Sequence, residues 1–186
     1  MNYCAAAVAI QLVTASYSKT LLARIYHREA LDCSRANHVD AVEGSCLLIL
    51  GDIDLEKQDV AAASVNYIDA LTAYHRLPTA AAVSLVGSRL IPLLLARNSA
   101  IDALRLVAYA TFNHTTRRTP DPPDAFLLYM SFGYYNLDPH IFEKYITTLR
   151  ALLPDEFEPI WSEARTMTQQ DGAYFVRNLA LMLSTS

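Results

Sequence analysis

Glycine is scarce in this chain, at 5 residues in 186, and Trp occurs once. With 53% hydrophobic residues and so few glycines, the composition argues for a folded, mostly helical chain and against disorder. No GxxxxGK[ST] phosphate loop is present, and neither a GxSxG elbow nor an HExxH pair occurs. The 3 cysteines (Cys4, Cys33, Cys46) are an odd number without CxxC spacing, and read as reduced, packed thiols of a cytoplasmic protein. The formal charge of −4 disfavours nucleic acid or an anionic membrane as the main partner. The apolar run from Cys4 to Ala15 lacks a basic flank and is shorter than a membrane span, so it reads as a packed helix.

What the chain does have is a repeat. Leu50-Gly51-Asp52, followed by Ala63, Tyr67 and Ala70, makes up most of the tetratricopeptide-repeat signature. The physical reading is that Gly51 and Ala63 let two antiparallel helices approach, Tyr67 fills the gap beyond, and Ala70 admits the next helix. The aromatic usually found three residues after the glycine is replaced by Asp54. Ala23, Ala63 and Ala103 recur at an interval of 40 residues, and so do Ala30, Ala70 and Ala110. That period exceeds the usual repeat of about 34 residues, so each hairpin carries extra helix.

The expected fold is therefore all-α: a right-handed, tetratricopeptide-like solenoid of about three helical hairpins closed by a non-repeating helical cap. The repeats are placed within residues 1–113, at about 4–43, 44–83 and 84–113. A proline-rich loop follows at 114–123, then the cap at 124–186, the whole forming a single domain. Helices are predicted over 3–16, 19–35, a stretch ending near Glu56, 59–76, 79–97, 100–112, 124–135, 138–153, 154–165 and a last one to about 183. Asp59 is an expected N-cap, and Thr168 with Asp171 an expected capping box. Pro92 is expected to kink or unwind its helix.

The tail Phe157-Glu158-Pro159-Ile160-Trp161-Ser162-Glu163-Ala164-Arg165-Thr166-Met167-Thr168, taken with the repeat, resembles the C-terminal tetratricopeptide domain of large bacterial regulators. These are the signal-transduction ATPases with numerous domains, including maltose-activator-like and LuxR-type transcription factors. Ala164 and the Gln169-Gln170-Asp171-Gly172 stretch depart from that family's pattern. The resemblance implies a sensing or protein-interaction module of a signalling machine, with Trp161 anchoring the closing helix. It also implies a piece or stand-alone relative of a larger regulator, without the ATPase or a DNA-binding part. The partner is then a protein or peptide, the rest of a regulator chain, or a second copy in a homodimer.

No catalytic residue, cofactor or metal site is expected. His27, His38, His75, His114 and His140 are scattered, and the acid pairs Asp52/Asp54 and Asp155/Glu156 read as a solvated face and a helix N-terminus. Binding is expected on the concave face formed by the first helix of each hairpin. Phased from Gly51, that face carries Ser45, Leu48, Asp52, Leu55 and Glu56, and in the third hairpin Ser88, Arg89 and Pro92. It is mostly apolar and lacks the basic clamp that holds a C-terminal carboxylate. A protein partner, a small inducer in the channel, and simple coverage by neighbouring helices all remain open for it. Arg117 and Arg118, and the aromatic group Tyr129, Phe132, Tyr134 and Tyr135, are further candidate contacts whose alternatives are a solvated loop and core packing.

Overall fold

In the computed structural model the described residues are 20–75, 80–116 and 139–185. Among them the structure is all-helical. The elements are α1 (Thr20–Ala36), α2 (Asp40–Glu56), α3 (Val60–His75), α4 (Ala80–Ala96), α5 (Ala100–Thr116), α6 (Pro139–Leu152), α7 (Phe157–Ala164) and α8 (Gln169–Ser184). The helices expected at 3–16 and 124–135, the loop residues Arg117 and Arg118, and the aromatic group around Tyr129 lie outside the described residues. α5 runs through Thr116, so residues 114–116 are helical where a loop was expected. α7 starts only at Phe157, because Pro154 to Glu156 form a turn. Pro92 sits exposed within one continuous helix, and no turn is unwound there.

The connections between helices repeat as closely as the helices do. His38, Gln58 and Asn98 all have positive φ, at 53°, 63° and 59°. In each case the N–H of the following residue reaches back five residues: Val39 to the Ser34 carbonyl (2.9 Å), Asp59 to Asp54 (3.0 Å), Ser99 to Leu94 (2.9 Å). The positive-φ residue itself donates to Arg35, Leu55 and Leu95 respectively. This is the Schellman closure, which usually employs glycine at the left-handed position. A side chain there costs about 1 kcal/mol, with His and Asn tolerated better than most. Gln58→Gly is therefore expected to stabilise the protein by about 1 kcal/mol in urea unfolding, with a smaller gain for Asn98→Gly.

Two compact units can be distinguished in the chain. Of the described residues, the first holds 20–75 and 181–185; the second holds 80–116 and 139–180. In the first unit α2 packs on both α1 and α3. Gly44 lies against the Tyr74 ring and Gly51 against the Tyr67 ring, which fixes an antiparallel α2–α3 register. A Cβ on Gly51 would stand 2.5 Å from Tyr67 Cε1 and 3.2 Å from the Ala63 carbonyl oxygen. The rings are locked at their far ends too. Tyr67 Oη donates to Asp52 Oδ1 at 2.8 Å, and Tyr74 Oη lies 3.1 Å from Ser45 Oγ. Ala63 and Ala70 are fully buried, as the close-approach reading requires, and Leu50 is buried too.

In the second unit α4 packs on α5, and α5 also meets α6 and α7. Ala103 and Ala110 are buried at the positions of Ala63 and Ala70. α8 docks through Gly172, whose Cβ position is filled by the Tyr109 ring, while Val176 lies beside Gly87. Its N-terminus is a reciprocal capping box. Thr168 N–H donates to Asp171 Oδ2 (3.1 Å), and Asp171 N–H donates to Thr168 Oγ1 (3.2 Å). The Thr168 hydroxyl, donating to Asp171 Oδ2 at 2.6 Å, and then the Thr168 N–H hold the Asp171 carboxyl below its usual range, so the box contributes most above that range and weakens in acid. Trp161 stacks on Phe157 at 5.4 Å and is only half-buried. Phe157 is the buried anchor of α7, with the Arg150 guanidinium 4.5 Å over its ring.

Candidate functional site

The first helix of a repeat hairpin was expected to leave one face open. In the first unit α2 is instead flanked on two sides, by α1 and α3, and the consequence is visible residue by residue. Ser45 and Leu48 are buried, Ser45 Oγ donating to the Ala41 carbonyl at 2.8 Å, so neither presents a surface to a partner. Asp52 and Leu55 are half-buried, and Asp52 is engaged by Tyr67. Glu56 is exposed at the helix end. On α4, Ser88 and Arg89 are half-buried and turn inward on their own helix. Ser88 Oγ donates to the Leu85 carbonyl (2.7 Å) and Arg89 Nη1 donates to Ser88 Oγ (3.1 Å). Pro92 is exposed. Of these eight residues, two are buried, four are half-buried and two, Glu56 and Pro92, are exposed.

Asp54 departs most from expectation. It is 3% exposed, not part of a solvated acidic face. A carboxylate at such a site is costly unless paired and hydrogen-bonded. Both conditions are met: Arg24 Nη1 of α1 pairs with Oδ1, and Asn66 Nδ2 of α3 donates to Oδ2 at 2.8 Å. Three helices thus meet at one side chain, placed where the repeat signature has an aromatic. Forty residues on, the corresponding residue is Leu94, fully buried and apolar. A second pair, Arg35 Nε to Glu43 Oε1 at 3.0 Å, joins α1 and α2 near their other ends.

His27, one turn beyond Arg24, is buried, and its Nδ1 has no hydrogen-bond partner. Burial lowers its pKa from 6.5 to about 4. The unfolded chain therefore takes up a proton between these values that the folded one refuses. Stability is complete above pH 6.5 and is lost as pH falls toward 4, by up to about 3 kcal/mol at 1.36 kcal/mol per unit. Urea midpoints at pH 7 and pH 4.5 should show the acid loss in the parent and a smaller one in His27→Phe. Cys46, buried on α2, has its thiol pushed up to about 12 by burial first, then by the nearby Cys33 and Glu43. It is inert as a nucleophile at neutral pH.

Exposed large apolar residues occur on α1, α3, α5, α6 and α8, and four of them are grouped on α1. Leu21 is 71% exposed, and Leu22, Ile25 and Tyr26 are between 41% and 47% exposed along the same helix. These four form a continuous apolar face over the first two turns of α1. Val65, at Ile25's position 40 residues later on α3, is also exposed. The sequence does not single out this face, because Arg24, Arg28, Glu29, Asp32 and Arg35 interleave with Leu22, Ala23, Tyr26 and Ala30 along the helix. Ala30 and Leu31 are buried, while Leu21, Leu22, Ile25 and Tyr26 are exposed.

Among the described residues no group of three or more His, Cys, Asp or Glu could hold a metal ion. No described helix is long and apolar enough to cross a membrane. Comparison with protein-family models, curated proteins and solved structures gives no match.

Proposed function

We propose that this chain is a non-catalytic protein-interaction module that docks an apolar segment of another polypeptide on the outer face of α1. The observation that carries this reading is the run Leu21, Leu22, Ile25 and Tyr26, exposed together on a helix whose opposite side is held by Arg24–Asp54 and Arg35–Glu43. Large apolar side chains grouped on a fixed helix mark a contact surface more often than a bare surface. Repeat scaffolds of helical hairpins suit this task, because neighbouring helices present aligned rows of side chains. The family resemblance of the tail and the 40-residue period points the same way, toward a tetratricopeptide-like part of a bacterial regulator. In such a regulator the partner is another segment of the assembly.

The test places a photo-crosslinking amino acid at position 25 in the native host, with exposed position 69 on α3 as the control. A discrete adduct at 25 that is absent at 69, and that disappears when Leu22→Lys is added, is the expected result. No adduct at 25, or equal labelling at both positions, would overturn the reading. Leu22→Lys should leave the melting temperature within a degree or two, because surface changes of this kind shift stability by about 0.5 kcal/mol or less.

A further inference from the structure

We draw no further inference here: the strongest candidate, the exposed apolar face of α1 carrying Leu21, Leu22, Ile25 and Tyr26, belongs to the site already described, and nothing in the structure shows what covers it.

Discussion

Asp54→Ala is expected to destabilise the first unit by about 3–5 kcal/mol, the cost of breaking a buried ion pair and stranding the other partner. The loss has three parts in the geometry. Arg24 loses its carboxylate while its side chain stays three-quarters covered, Asn66 loses an acceptor at 2.8 Å, and α1 loses its link to α3 through α2. Arg24→Met should cost a comparable amount, because the Asp54 carboxylate would then be buried with only an amide for company. The informative variant is the pair. Arg24→Met with Asp54→Leu places an apolar contact where Leu94 already stands in the next hairpin, and should recover most of what either single change loses. Urea unfolding of the four proteins gives the coupling energy directly. Full additivity of the two single changes would mean that α1 and α2 do not meet at this point.

Gly51→Leu is the second large effect, expected at about 3 kcal/mol or more, at or above the upper end of overpacking costs. Even a methyl group has no room, since the nearest atom of Tyr67 lies 2.5 Å from the Cβ position and the ring is fully buried. The ring cannot swing aside without giving up its hydroxyl bond to Asp52, and behind it the Ala63 carbonyl is backbone. Tyr67→Ala removes the obstruction, so Gly51→Leu combined with Tyr67→Ala should be less destabilised than the sum of its parts. Thermal unfolding followed by circular dichroism reads this. If Gly51→Leu melts with the parent, the close α2–α3 approach is wrong.

Much of the helical pattern was legible in residues. Asp59 caps α3 as its type and place suggest, its Oδ1 accepting from Ala62 N–H at 3.0 Å. The alanines spaced at 40 residues are buried where close packing needs small side chains, because only small residues suit that contact. The places of the turns were legible in the helix bounds, but their conformation was not. His38, Gln58 and Asn98 adopt a conformation usually signalled by glycine, and a chain with five glycines gives no such signal.

Coverage by neighbouring helices was one of the readings left open for the expected face, and Ser45 and Leu48 are buried on α2, which packs on both α1 and α3. Asp54 was misread as solvated because its partner Arg24 is 30 residues away, and no local pattern joins them. The outer face of α1 was hidden for the opposite reason. Nothing in a sequence tells an apolar residue that packs from one left exposed.

The central claim is that hairpins of 40-residue period form two units, each with its own core, and that Asp54 holds the first. Hydrogen exchange followed by mass spectrometry on the parent and on Asp54→Ala tests it most directly. The account predicts strong protection of α2, α3, α4 and α5 in the parent. In the variant, protection should fall across Thr20–His75 and persist across Ala80–Thr116 and α6. Equal loss of protection in all of these helices, or fast exchange of α2 in the parent, would contradict it.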